Sequence, residues 1–325
     1  MAVIVTSSLL STVAQMGLAV LRESIHFVKQ TNREYERSIS ATTKGSTVNV
    51  VVPAPITAVS VTPGGVHPND TVAVTPTVVP ITLDQWYRAA FAFSDKQAAQ
   101  VDRGLLPMQI EEAIRGLVNA IETNVALNYK KFYGYAGVAG TTPFGSDLSE
   151  FLTAEKLAND QVMPVDRRAL IMDTAANANW KGLRRNFDRN FADVGIAPVW
   201  SPFVPTHTAG TNTGSDINGA HATVGVKTLT IHGGALGDYH VGDIITIAGH
   251  SQTYTITSQV GDGTPTSIGI EPGLKVALGG TEVITLKASH VSNLLLHPNA
   301  IAFAMAPMQA GAGIQGAGAQ EATAV

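Results

Sequence analysis

The first twenty-eight positions carry a helical period. Polar residues fall at Ser7/Ser8, Ser11/Thr12, Gln15, Arg22/Glu23 and His26, and apolar ones opposite them at Leu9/Leu10, Val13, Gly17, Val20/Leu21 and Phe27/Val28. A spacing near 3.6 residues predicts an amphipathic helix that docks on protein. After Lys29 the period gives way to a polar stretch, QTNREYERSISATTKG. From Lys44 to Phe93 the helical period is absent. The core of that segment reads STVNVVVPAPITAVSVTPGGVHPNDTVAVTPTVVPITL, β-branched residues cut up by Pro and Gly. This predicts two or more extended strands folded back on themselves, with turns around Pro63-Gly64-Gly65 and Pro68-Asn69-Asp70. Such an arm has too few layers to bury itself and needs a partner surface, for which another copy of the same chain is the natural source. Trp86 and three further aromatics up to and including Phe93 mark the arm's return.

A long helix is predicted from about Leu106 to Phe132. Pro107 suits its first turn, and Ile110, Ile114, Leu117, Ile121 and Val125 give an apolar stripe. At 1.5 Å per residue it would span roughly 40 Å, long enough to serve as a spine. Asp147 and Glu150 read as a capping box, with a short helix over Thr153 to Asp160. RRALIMD, Arg167 to Asp173, reads as a buried strand, Thr174 to Leu183 as a helix, and residues 184 to 200 as irregular. From Ala222 to Ala288 short strands recur: VKTLTIHG, DIITIAG, QTYTITSQV, TSIGIEP and EVITLKAS, with Gly-rich turns between them. That spacing predicts a small barrel or sandwich. SNLLLHPNAIAFAMAPM, Ser292 to Met308, reads as an apolar strand pair broken at His297-Pro298-Asn299, and a Gly/Ala-rich tail follows.

Composition changes the picture in one respect. Hydrophobic residues make up 45% of the 325 positions, ample for a core, but charged residues only 14%, against about 25% in an average soluble domain. A surface so poor in charge points to extensive contacts, although a β-rich secreted protein would share the trait. The first twenty-one residues are uncharged but lack a basic n-region, and their polar stripe argues against a membrane span. A net charge of −4 argues against a surface that coats nucleic acid. With no cysteine there is no disulfide framework or thiolate metal site.

Candidate chemistry finds little support. Of nine histidines, His207, His221, His232, His240 and His250 lie close in sequence, but at no metal-helix spacing. They read as scattered solvated or hydrogen-bonding side chains, and no cofactor or metal is expected. Neither a phosphate-binding GxxxxGK[ST] loop nor a GxSxG elbow occurs. Arg184, Arg185 and Arg189 among aromatics read as a solvated or intersubunit loop rather than a nucleic-acid site.

The order of elements resembles a tailed-phage major capsid protein, of the short-tailed-phage type with an inserted β-barrel domain. PITLDQWYRAAFAFSDKQ (Pro80 to Gln97) resembles that family's return strand from the extended loop, and LPMQIEEAIRGLVNAIETNVALNY, ending at Tyr129, its spine helix. LTAEKLANDQVMPVDRRALIMD (Leu152 to Asp173) is similar to the opening of its axial domain. VPTHTAG (Val204 to Gly210) and SNLLLHPNAIAFAMAPM resemble the segments flanking the insertion, and are the most specific matches. Family members usually continue past this last strand with further strands, where this chain has its Gly/Ala tail.

The resemblance implies an α+β chain with the tailed-phage capsid (Johnson) fold. Its expected parts are an N-terminal arm with a docking helix (1–43), an extended β loop (44–93), a peripheral domain with the spine helix (94–145) and an axial α/β domain (146–221). An inserted β domain (222–288), axial return strands (289–308) and a flexible tail (309–325) complete it. It implies a non-enzymatic major capsid protein that self-assembles as hexamers and pentamers into an icosahedral shell around double-stranded DNA, bound without sequence specificity. Scaffolding, portal and decoration proteins are the implied partners, with assembly in the host cytoplasm, residence in the virion capsid, and no membrane. Expected intersubunit contacts are Leu9, Leu10, Val13 and Val20 on the docking helix, Pro63, Gly64, Gly65 and His67 at the arm's tip, and Trp86. An encapsulin-type cargo shell, or a secreted β-rich adhesin or hydrolase, are the alternatives.

Overall fold

A computed structural model describes residues 25–33, 47–54, 56, 58, 60, 63–64, 75–85, 87, 89, 105–186, 195–219, 223–232 and 237–304. The side chains of 105–110 and 184–186 lie outside that description. Two compact units emerge: one runs from Arg115 to Ala300 together with Leu21–Thr31, and the other holds the remainder.

In the second of these, β1 (Thr47–Val52) pairs antiparallel with β2 (Thr77–Thr82), with Val50 opposite Val79 and Val51 opposite Val78. This is the double-back of extended strands that the β-branched pattern predicts. Pro80 stands opposite Asn49, tolerated because a two-stranded ribbon is all edge. The backbone of Asn32 pairs with Ala302, through bonds to Ile301 and Phe303. The expected second strand after His297 is thus, among the described residues, a short 3-10 turn (Pro298–Ala300) and this single bridge.

The larger unit begins on the long helix α1 (Leu105–Ala126), which tightens into a 3-10 turn over Leu127–Lys131 instead of running on to Phe132. The tightening has partners: Asn128 Nδ2 donates to the Val125 carbonyl, and the Thr255 hydroxyl takes the Lys130 carbonyl. The fully buried positions are Val118, Glu122, Val125, Ala126 and Tyr129, while Ile114, Leu117 and Ile121 are only half-buried. The buried face is therefore rotated from the predicted stripe, toward a glutamate. Glu122, 0% exposed, accepts the backbone N–H groups of Phe27 (2.7 Å) and Val28 (3.1 Å) at the start of a short 3-10 turn (Val28–Gln30). A carboxylate there satisfies two donors that a helix start otherwise leaves orphaned.

Helix α2 (Ser149–Asp160) starts four residues earlier than predicted, and no capping box closes it. Asp147 instead bonds the N–H and hydroxyl of Ser149, and Glu150 reaches back to the N–H of Phe144 at 2.9 Å. At its other end Met163 N–H bonds Ala158 O and Val162 N–H bonds Asn159 O, a Schellman stop that puts Val162 at φ +56°. That position favours glycine, and a β-branched residue there costs on the order of 1 kcal/mol.

Strand β3 (Arg168–Met172) is buried at all five positions, as RRALIMD predicts, and is followed by α3 (Thr174–Asn186). Asp173 caps α3, accepting the N–H groups of Ala175 and Ala176. β4 (Ile196–Trp200) then pairs in parallel with β3, where the sequence reads as irregular. Pro198 and the polar flanks hide this edge strand; a βαβ crossover supplies its pairing. β12 (Leu294–Leu296) closes the other side of β3 antiparallel. Phe151, Leu170, Met172, Ala176, Trp180 and Leu183 pack as one core, with the Phe144 and Phe151 rings on Trp180.

The five predicted short strands form: β6 (Thr228–Thr230), β7 (Ile244–Ile247), β8 (Thr253–Val260), β9 (Ser267–Glu271) and β10 (Ile284–Leu286), in the order β10-β7-β8-β9-β6. Every pair is antiparallel. Asp216 pairs with Val283, beside β10, and Ile217 with Ile231, beside β6, so one dipeptide links both outer strands. Inward side chains from all five strands, Leu229, Ile245, Ile247, Tyr254, Ile256, Ile268, Ile270 and Ile284, join Ile217 in a dry aliphatic core.

Candidate assembly surface and the neck of the β unit

The β1–β2 ribbon presents valine on both faces. Val48, Val50 and Val52 alternate with Val51 along one strand, and Val78 and Val79 are adjacent on the other. Val50 is buried, but Val51, Val52, Val78 and Val79 are each about half exposed, and Ile56 beyond β1 is 72% exposed. A two-stranded ribbon has no third layer to cover such residues and is marginal by itself in water. Of the predicted contact residues, Pro63 and Gly64 form a turn in which Gly64 takes φ +82°, open only to a residue without Cβ strain. Leu9, Leu10, Val13, Val20, Gly65, His67 and Trp86 lie outside the described residues, so nothing brings them together here. The same holds for Arg189 and for His221.

The histidines hold a feature that sequence spacing does not reveal. β5 (Thr206–His207), inside VPTHTAG, pairs antiparallel with β11 (His290–Val291), with His207 directly opposite His290. The ladder is two residues long. Ser292 N–H to the Pro205 carbonyl and Ala209 N–H to the Ser289 hydroxyl extend it by one bond at each end. All of the five-stranded sheet lies between these two strands in the chain, so β5 and β11 are the two connections that enter and leave it.

His207 is 2% exposed, which corrects the solvated reading for this position, while the hydrogen-bonding reading holds. Its Nε2 lies 2.8 Å from Asp243 Oδ1, and its Nδ1 lies 2.9 Å from the Tyr129 hydroxyl. Asp243, wholly buried, also accepts the N–H groups of Gly210 and His240. Since these oxygens act as acceptors, the imidazole proton is assigned to Nε2, and Nδ1 accepts from Tyr129. Burial pushes the Tyr129 hydroxyl above the ordinary phenol range, and the Asp243 charge adds to it. The close approach explains a glycine: a Cβ on Gly210 would run into the Asp238 carbonyl and the Asp243 carboxylate.

His290 is half-buried, its ring 5.3 Å from that of His207 and 5.6 Å from that of Tyr135, with Lys287 Nζ over the Tyr135 ring. Its Nδ1 donates to the Ala288 carbonyl. Burial holds His290 below the ordinary imidazole range, reinforced by His207 and opposed by the Ala288 bond and the Asp243 charge. His232 pairs with Asp216 on the surface, and His250 bonds the Tyr254 hydroxyl. Among the described residues no three His, Asp or Glu side chains converge as metal ligands, and no helix is long and apolar enough to cross a membrane.

A cleft of about 480 Å³ opens beside the neck, lined by Tyr129, Tyr133, Tyr135, Leu157, His290 and neighbouring residues. Its walls are mainly apolar.

No protein-family model matches the chain, and no curated protein matches it. Among solved structures it is similar to one from Mycobacterium phage Che8, at 15% identity and a TM-score of 0.42, covering 82% of this chain and 88% of that one. It is also similar to the capsid of cyanophage P-SCSP1u, at 15% identity and a TM-score of 0.37, covering 89% and 88%. A virus-like particle from Pyrococcus furiosus shares 10% identity at a TM-score of 0.36, covering 87% of this chain and 95% of that one. Identities and TM-scores are both low, so the functional reading is carried by the residues and geometry of this chain.

Proposed function

We propose that this chain is the coat subunit of an icosahedral shell enclosing double-stranded phage DNA, with no enzymatic activity. The observation that carries the reading is the β1–β2 ribbon, whose valines stand half exposed on a two-stranded sheet. A ribbon of this kind gains its stability from a surface outside itself, and obligate interfaces of shell subunits bury thousands of Å². The low charge of the chain and the coat-protein pattern of its segments support the same conclusion. In this reading α1 is the spine of the peripheral domain in a Johnson fold of the short-tailed-phage type. The β3-centred sheet belongs to the axial domain, and the five-stranded sheet is the inserted β-barrel.

Subunits meet as hexamers and pentamers, through the ribbon's tip and the N-terminal segment, in the host cytoplasm, with scaffolding, portal and decoration proteins as partners. The −4 net charge leaves a wall along which packaged DNA slides instead of sticking. The test is to express the chain and examine it by negative-stain electron microscopy. Closed particles are expected; a protein that stays monomeric at every concentration overturns the proposal. Particle contents then separate two shells: nuclease-protected DNA in particles from infected cells supports the virion, and packaged protein supports an encapsulin-type compartment.

A further inference from the structure

Both connections to the five-stranded sheet pass through a single two-residue ladder, and its one cross-strand histidine pair faces one buried carboxylate. We propose that this neck is an acid-operated latch: closed while His207 and His290 share one positive charge or none, and opened when both are protonated. The inference does not depend on the shell reading.

The charge count follows from the groups that face the pair. From the 3-10 turn after α1 come the Tyr129 hydroxyl, bonded to His207, and Lys130, packed against Gly242. From the loop before β7 come Asp243 and His240, whose ring Nδ1 faces the Thr208 carbonyl. Tyr135 stacks edge-on against His290, with Lys287 beyond it. Asp243 is the only acid among them, and its oxygens are already engaged by His207, Gly210 and His240. One imidazolium beside it is compensated. A second, directly across the ladder, has only the same Asp243 carboxylate to compensate it, and that carboxylate is already engaged by His207. Like charges opposite one another destabilise a strand pair, and this one is two residues long with a single further bond at each end.

The direction is fixed by His290. Its burial favours the neutral ring in the closed neck, so an open neck binds protons more readily. Closure is at full strength above the ordinary imidazole range and weakens as pH falls through it. With His290 returning to its ordinary value of 6.5 on opening, acidification to pH 5 raises the opening constant, by at most about thirtyfold. Strand β9, with no histidine among its residues, should not respond.

Hydrogen exchange on the full-length protein at pH 7.5 and 5.0, corrected for intrinsic exchange rates, reads this directly. Peptides covering residues 205–210 and 289–293 are expected to lose protection at pH 5.0, by up to about thirtyfold, while β9 keeps its own. Equal protection of the neck at both values overturns the latch, and so does a loss that spreads equally to β9, which is global acid unfolding. His290→Asn keeps a donor for the Ala288 carbonyl but cannot gain a proton. Its neck is expected to show no acid response; a persisting response assigns the effect to His207 or His240 alone and overturns the pair mechanism. Should the variant lose protection everywhere at pH 7.5, titration of the His290 ring protons by NMR in the unmodified protein decides. A His290 transition that coincides with loss of neck protection supports the latch; one that leaves neck protection unchanged overturns it.

Discussion

At the level of single residues, charge is used sparingly and in enclosed places. Glu282 accepts the backbone N–H groups of Gly279, Gly280 and Thr281 at 2.6 to 3.0 Å, a cradle that lowers its carboxyl from 4.5 to about 2. A depressed carboxylate contributes stability that is fully present above its unfolded value and is lost as pH falls through its folded one. Glu282→Gln is therefore expected to lower stability at neutral pH by about 1 kcal/mol, after allowance for solvent screening. That difference should vanish near pH 2, read from denaturant midpoints across the range. The sequence marks Gly279-Gly280 as a turn and nothing more, because the acceptor that organises it is a partly exposed glutamate like any other. His207 was equally concealed: spacing finds ligand sets on one helix, and this network joins residues 78 and 36 positions apart.

Among the elements, the least expected is the glutamate at the most buried position of α1. Periodicity selects Ile114, Leu117 and Ile121 for the core, since it ranks positions by hydrophobicity alone. Glu122 takes the central place because Phe27 and Val28 bring two unsatisfied N–H groups to it. Glu122→Ala is expected to cost about 3 kcal/mol, leaving those donors buried and unpaired. Thermal or denaturant unfolding measures the cost, and exchange at Phe27 and Val28 should rise selectively. The same logic explains β4 and the start of α2. A parallel edge strand needs its neighbour β3 to exist, and the Asp147–Glu150 pair satisfies nearby N–H groups of Ser149 and Phe144 without forming the reciprocal box.

For the molecule as a whole, the ribbon is the element without a complete core. Deleting Thr62–Asp70, the tip that the sequence predicts for the arm, leaves β1 and β2 outside the cut. We expect a protein that folds, with unchanged circular dichroism and an unchanged melting transition of the larger unit, but that no longer yields closed particles in the electron microscope. Normal particles from this variant would remove the ribbon's tip from the assembly contacts.

What the sequence determined by itself is local. The ribbon strands, the long helix, the buried strand RRALIMD and the five short strands are each legible because period, β-branching and turn residues act within a dozen positions. The tertiary structure alone decided which faces are buried, that residues 196–200 form a strand, and that Asp216–Ile217 joins the sheet's two outer strands. It also decided that two histidines eighty-three positions apart meet across a two-residue neck. These depend on partners distant in the chain, and a buried glutamate or histidine is stabilised only by donors and acceptors that folding delivers.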